Sequence, residues 1–163
     1  MDAQHLYRIV LIDDSRMARL GLREQLNRTA EFRIVGEAAS IAEGLELIER
    51  LNPDLVLLDI SLPDGSGVQA CCRLVAGRPD TRVLILSVYD DPAVIREAIA
   101  AGAQGYVLKD TPVAMWRNAM RRAAGGRPPR VCGIPPMKPA SNWLSPLTAP
   151  SAGSPWVQRN TVD

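Results

Sequence analysis

Four short apolar runs in this chain each end on a polar side chain capable of chemistry. RIVLI (8–12) is followed by Asp13 and Asp14, DLVLL (54–58) by Asp59, RVLIL (82–86) by Ser87 and GYVL (105–108) by Lys109. Runs of this length rich in Val, Ile and Leu read as strands buried on both faces of a parallel sheet. In an open parallel sheet the carboxyl ends of the strands form the rim at which ligands bind. The pattern therefore gathers three carboxylates, a hydroxyl and an amine on one rim, a set suited to a divalent cation and a phosphoryl group.

With one more run near 32–37, the strands fall near 8–12, 32–37, 54–58, 82–86 and 104–108, and helical patterns lie between them. Ser40 followed by Glu43 is a capping box, after which Ile41, Leu45 and Ile48 share a helical face. Asp91-Pro92 and Thr111-Pro112 each place a capping side chain before a proline at the first helical position. Ser66 is expected to cap a helix with Val68, Cys72 and Val75 as its buried stripe. Val113, Trp116 and Met120 form the inner stripe of the last helix, which Gly125-Gly126 stops. Five alternating units with short connections predict an α/β, flavodoxin-like doubly wound (βα)5 sandwich with a parallel sheet in the order 2-1-3-4-5. Five are too few for a closed eight-stranded barrel.

The 163 residues, 47% apolar and 23% charged, suit one soluble domain with some length to spare. No apolar stretch approaches the roughly 20 residues that span a bilayer. MDAQHLYR lacks a signal-like segment, so a cytoplasmic location with no membrane contact is expected. Cys71, Cys72 and Cys132 form neither a disulfide framework nor a CxxC site. The one histidine, His5, reads as a solvated terminal residue, which leaves no zinc site and no Ser-His-Asp set.

The domain is expected over 1–125, where 15 Lys and Arg stand against 17 Asp and Glu. Residues 126–163 carry four bases, one acid and 8 of the 13 prolines. Neither part clusters basic residues as a nucleic-acid surface does. Proline removes donors and breaks helices, so 126–163 reads as a flexible Pro-rich tail with Trp143 and Trp156 as its large apolar anchors. Its PMKP segment also fits a PxxP ligand, a weak pattern.

Adjacent acids at a strand end diverge, so one of Asp13 and Asp14 can ligate a cation directly while the other acts through water. Mg²⁺ prefers octahedral oxygen coordination and retains waters. Asp59 ends the third strand, beside the first, and can reach the same ion. A carboxylate beside Mg²⁺ and open to solvent can attack phosphorus to give an acyl phosphate. Lys109 offers a compact positive charge and Ser87 a hydrogen bond to the phosphoryl oxygens. The SLPDGSG loop supplies a tight turn and a carbonyl near Ser61. Gly65-Ser66-Gly67 has neither the GK[ST] of a P-loop nor GxGxxG spacing.

VLIDDS, PDLVLLDISLPDGSG, VLILSVYDD and GAQGYVLKD together resemble the receiver domain of two-component response regulators, NarL/FixJ (LuxR-type) subfamily, over about residues 6–125. The resemblance implies that Asp59 accepts a phosphoryl group from a sensor histidine kinase. It implies Asp14 as a direct Mg²⁺ ligand, Asp13 as a water-mediated one and the Ser61 carbonyl as a third contact. Ser87 and Lys109 would bind the phosphoryl group, and Tyr106 would be the aromatic switch that follows Ser87. A homodimer on phosphorylation is the oligomer it admits. Serine at 87, where threonine is also common, keeps the hydroxyl, and Asp110 replaces the proline often found after the lysine.

The C-terminus departs from the pattern. Members usually carry a helix-turn-helix domain of roughly 60 residues; here 38 residues follow Gly125, and only WLSPLTAP faintly matches its start. The chain is then a stand-alone receiver or a truncated or frame-shifted relative, and DNA binding is not expected from it alone. Three functions stay open: a phosphorylation-switched module acting through protein contacts, a truncated DNA-binding regulator, and a Mg²⁺-dependent phosphohydrolase. Enzyme activity beyond self-phosphorylation and slow autodephosphorylation is not expected.

Overall fold

A computed structural model describes residues 5–127 and, as backbone alone, the strand at 130–132. In chain order its elements are β1 (Tyr7–Ile12), α1 (Arg16–Asn27), β2 (Phe32–Ala38), α2 (Ile41–Leu51) and β3 (Leu55–Asp59). There follow β4 (Ser61–Leu62), β5 (Gly65–Ser66), α3 (Gly67–Gly77), β6 (Arg82–Ser87), α4 (Pro92–Ala100), β7 (Gly105–Leu108), α5 (Val113–Ala124) and β8 (Arg130–Cys132). The main sheet runs β2-β1-β3-β6-β7-β8, every pairing parallel. Its first five strands reproduce the expected flavodoxin-like order.

Alternation within the central strands builds two cores. Val10, Ile12, Val56, Leu58, Val83 and Ile85 pack on one face with residues of α2, α3 and α4. Ile9, Leu11, Leu55, Leu57, Leu84 and Leu86 pack on the other with residues of α1 and α5. Both faces are covered, so these strands read as continuous apolar runs. Their polar end residues fall where the cover stops.

The helix starts follow local chemistry. The Ser40 hydroxyl accepts from Glu43 N–H at 3.3 Å, and the Glu43 carboxylate accepts from Ala39 N–H at 3.0 Å. Asp91 accepts from Ala93 N–H at 2.8 Å with Pro92 opening α4. Gly126, at φ +65°, takes the left-handed turn just past α5 that glycine favours.

Four features differ from the sequence reading. On α3 the buried residues include Val68, Cys71 and Leu74, whereas Cys72 is exposed and Val75 only partly covered. The spacing 68, 72, 75 and the spacing 68, 71, 74 are both helical, and a rotation of about 100° separates them. Ser66 precedes α3 without a side-chain capping bond. At α5 the cap position belongs to Pro112, and Thr111 is buried with its hydroxyl unpartnered. Lastly, SLPDGS folds as a two-stranded antiparallel pair, β4 with β5.

The sheet also continues past residue 125. β8 pairs with β7 as Gly105↔Arg130, Tyr106↔Val131 and Val107↔Cys132. Three residues between proline pairs gave no periodic signal for a strand. The flexibility expected of the remaining tail, Trp143, Trp156, PMKP and WLSPLTAP lie outside the described residues. Among those described, no helix is long and apolar enough to cross a membrane.

Candidate functional site

The strand ends deliver their polar residues to one place. Asp13 stays tied to the sheet, its N–H donating to the Ala38 carbonyl at 3.0 Å, and it is 1% exposed. Its Oδ1 accepts from the N–H of Ser15, the cap of α1, at 2.9 Å. Asp14 turns outward and is exposed. Asp59 closes β3 and is buried. Lys109, just after β7, donates its N–H to the Ser87 carbonyl at 2.8 Å and sends its ammonium across the rim. Lys109 Nζ lies 2.7 Å from Asp13 Oδ2 and 3.0 Å from Asp59 Oδ2.

These residues fit a small hard cation. One carboxylate oxygen from each of Asp13, Asp14 and Asp59 lies within 4.8 Å of the others. Trans oxygens of an octahedral Mg²⁺ site stand about 4.2 Å apart, so small side-chain rotations complete the set. Asp13 Oδ2 faces the Lys109 ammonium at 2.7 Å, so a cation bound by the acids would share this oxygen with the lysine.

The electrostatics match a charged pocket cut into a sheet. Burial pushes the Asp59 carboxyl above its ordinary range, Lys109 opposes this, and the Asp13 charge adds to it. Burial alone would depress Lys109, yet its bonds to Asp13 and Asp59 hold it above the ordinary lysine value. One ammonium shared by two carboxylates gives each of them half a partner, whereas the lysine gains both. Burial therefore prevails at Asp59 and pairing at Lys109.

A second group of contacts runs away from the acids. Ser87 is fully buried, and its Oγ accepts from Tyr89 N–H at 3.0 Å. Tyr106, also fully buried, points inward, and its hydroxyl donates to the Tyr89 carbonyl at 2.7 Å. Burial pushes the Tyr106 phenol up to about 12. Ser61 N–H stands 3.4 Å from Asp59 Oδ1, and the Ser61 hydroxyl donates to Tyr89 Oη at 3.4 Å. Asp13, Asp14, Asp59 and Lys109 are thus brought together, whereas Ser87 and Tyr106 bond to Tyr89.

Three further residues were not legible in the sequence. Tyr89 links Ser61, Ser87 and Tyr106, and only its place two residues after Ser87 hinted at it. Asp64 lies in the β4–β5 turn, where its two carboxylate oxygens accept from Ile41 N–H at 2.8 Å and Ala42 N–H at 2.9 Å. It thereby fastens the loop after Asp59 to the start of α2. Arg19 donates from Nη1 to the Asp13 carbonyl and is backed by Glu37, with Nε to Oε2 at 3.7 Å. Nothing in the sequence sets Arg19 apart from its neighbours Arg16 and Arg23.

Gly67 is needed where α3 starts. A Cβ there would lie 2.1 Å from the Asp59 carbonyl oxygen, and Gly67 N–H donates to the Ile60 carbonyl at 2.8 Å. A cavity of about 360 Å³, lined in part by His5, Asp54, Asp80 and Arg82, lies at the opposite, amino ends of the strands and takes no part in the site.

Comparison with known proteins agrees with this geometry. Among curated relatives, the DNA-binding transcriptional activator DevR/DosR of Mycobacterium tuberculosis is 38% identical over 122 residues, covering 75% of this chain and 56% of that protein. The nitrate/nitrite response regulator NarL of Escherichia coli is 34% identical over 126 residues, covering 77% of this chain and 58% of that one. The chain thus spans little more than half the length of these relatives. Among solved structures, the signal receiver domain of the response regulator NarL from Mycobacterium tuberculosis superposes with a TM-score of 0.72 at 35% identity. That match covers 76% of this chain and 99% of the other. The family described as response regulator receiver domain matches residues 9–121. The chain belongs to the response regulator receiver domain family, and its relatives are NarL- and LuxR-type regulators of two-component signalling.

Proposed function

We propose that Asp59 is the phosphoacceptor of this receiver and that a sensor histidine kinase supplies the phosphoryl group. The observation that carries the reading is the convergence of Asp13 and Asp59 on one ammonium, Lys109 Nζ, with Asp14 beside them. Asp59 Oδ2 is held by Lys109, whereas Oδ1 has only the long contact from Ser61 N–H, so Oδ1 is the freer nucleophile. Attack forms an O–P bond and breaks the N–P bond of a phosphohistidine, whose imidazole keeps the departing electron pair.

Asp13, Asp14, Asp59 and the Ser61 carbonyl would hold Mg²⁺, which would supply charge neutralisation for the phosphoryl oxygens. Lys109 then moves its charge from the carboxylates to the new anion. The phosphoryl group adds close to two negative charges. Ser87 turns to donate its hydroxyl proton to a phosphoryl oxygen and gives up the bond it accepts from Tyr89 N–H, which releases the segment that also holds the Tyr106 hydroxyl. The face formed by α4, β7 and α5 is thereby remodelled by selection of an existing state. Output through protein contacts, including a homodimer, follows from that face. The reading also assigns a cytoplasmic location and no enzyme activity beyond self-phosphorylation and slow hydrolysis of the acyl phosphate.

Incubation with Mg²⁺ and acetyl phosphate, followed by intact-mass measurement, tests the assignment. One phosphoryl group is expected on the chain and none on Asp59→Asn. An adduct that survives in Asp59→Asn would move the acceptor elsewhere. Turnover of a small phosphoester would favour a phosphohydrolase instead.

A further inference from the structure

Asp13 and Asp14 are joined by one peptide group, and its orientation decides where the Asp14 carboxylate points relative to that of Asp13. The N–H side of Asp13 is fixed by the Ala38 carbonyl at 3.0 Å, and its side chain by Ser15 N–H at 2.9 Å. Its carbonyl lies beyond the last ladder pair of β1 and β2, Ile12↔Ala38, so the sheet offers it no donor. Arg19 Nη1 fills that role from the second turn of α1.

Arg19 is itself held. Glu37 of β2 sits opposite Leu11 and places Oε2 3.7 Å from Arg19 Nε, while its Oε1 lies 3.3 Å from Arg23 Nη1. The Arg19 side chain is 17% exposed and that of Glu37 24%, whereas Arg23 is 47% exposed. The inner pair is therefore the sheltered one. A guanidinium can satisfy a carbonyl and a carboxylate at once because its donors lie in a rigid planar fork; a lysine ammonium lacks that fork.

We infer that Arg19, braced by Glu37, is a positioning residue for the cation pocket. It fixes the peptide plane between Asp13 and Asp14 and so aims the two carboxylates at a common ion. This rests on the proposed role of the acids as Mg²⁺ ligands. Arg19 does not touch the ion; it acts through a backbone carbonyl, as outer partners orient the ligands in other metal sites.

The sign of the effect separates this role from simple charge. Arg19 brings a positive charge close to a cation site, so by electrostatics alone its removal would tighten Mg²⁺ binding. Positioning predicts the reverse. Loss of an outer partner weakens metal affinity by about 10–100-fold, and Arg19→Ala should fall at the lower end of that range. Arg19→Lys keeps the charge and loses the fork, so it should also bind Mg²⁺ several-fold more weakly. Glu37→Gln should move the dissociation constant in the same direction, and the double variant Arg19→Ala/Glu37→Gln should be no weaker than Arg19→Ala.

The experiment is a Mg²⁺ titration of the full chain followed by the backbone amide resonances of Asp14 and Ser15, with thermal unfolding measured in metal-free buffer. Weaker binding by both Arg19 variants, with spectra that remain folded, supports the inference. Unchanged or tighter binding by Arg19→Lys overturns it, as does a lower melting temperature with an unchanged dissociation constant, which is the mark of a merely structural contact. If Arg19→Ala does not fold, Arg19→Lys decides. No Mg²⁺ binding by the unaltered chain would overturn the metal reading itself, an outcome distinct from failure of the Arg19 variants.

Discussion

Gly67 gives the sharpest quantitative test of how the site is held. Gly67→Ala places a methyl carbon 2.1 Å from the Asp59 carbonyl oxygen and 2.8 Å from Ile60 Cα. Both obstacles are backbone, so no side chain can swing aside. The start of α3 must retreat by about 1.3 Å, from 2.1 Å to the 3.4 Å at which ordinary contact begins, since overpacked sites relax through backbone shifts. That shift stretches the Gly67 N–H bond to the Ile60 carbonyl, now 2.8 Å. Overpacking of this kind costs about 1–3 kcal/mol, and a weakened buried hydrogen bond adds about 1 kcal/mol. The alanine returns about 0.5–1 kcal/mol through its better helix propensity. The net expectation is a loss of about 1–3 kcal/mol. For a domain of this size, that lowers the melting temperature by roughly 4–12 °C.

Urea or thermal unfolding measures this directly, and Gly77→Ala supplies the control. Gly77 ends the same helix, and an added Cβ there meets nothing within 4 Å. It should be neutral or stabilising by up to about 1 kcal/mol. Phosphorylation by acetyl phosphate should also slow in Gly67→Ala, since the displaced carbonyl belongs to Asp59, the proposed acceptor. If Gly67→Ala is as stable as the unaltered chain, the close packing of α3 on the end of β3 is wrong.

Two other perturbations probe the frame around the site. Asp64→Ala removes both acceptors for Ile41 and Ala42 N–H at the start of α2, and should cost about 1 kcal/mol at neutral pH in thermal unfolding. Slight burial raises the Asp64 carboxyl, but the two amides outweigh it and hold the group below its ordinary 3.8. Its contribution is therefore complete above pH 3.8 and disappears as the pH falls through the folded value, so the variant and the parent should converge in acid. Glu31→Gln breaks the two-pronged pair with Arg121, which joins the loop before β2 to α5. Because Arg121 is 53% exposed, about 0.2–1 kcal/mol is expected from urea unfolding in low salt, and less in high salt. The Arg121 hydrogen bond holds Glu31 below its ordinary 4.5, so this difference too is present above that pH and fades below it.

Much of this was legible because parallel strands covered on both faces must be apolar throughout. Asp13, Asp59, Ser87 and Lys109 stand out only because Ile12, Leu58, Leu86 and Leu108 before them are buried. The start of α4 was legible because Asp91-Pro92 is a local signal that needs no tertiary context. The rest depended on partners distant in the chain. The face that α3 buries turned on a choice between adjacent cysteines, which propensity cannot make. At Thr111-Pro112 the same dipeptide logic failed because Thr111 is buried with its hydroxyl turned to no helix N–H. Arg19 and Glu37 meet only when α1 folds back beside β2, and nothing in either local sequence signals the other.

The parallel sense of β8 changes the direction in which the chain departs. α5 returns the backbone to the amino ends of the strands, and a connection leaving from Gly125 would set out from the end opposite the acids. β8 runs back up the sheet beside β7 and delivers Cys132 level with Val107, two residues short of Lys109. β8 therefore ends at the same edge of the sheet at which β7 ends, and not at the edge where α5 finishes. The tie between β7 and β8 is made of main-chain hydrogen bonds, so it does not depend on which side chains the two strands carry.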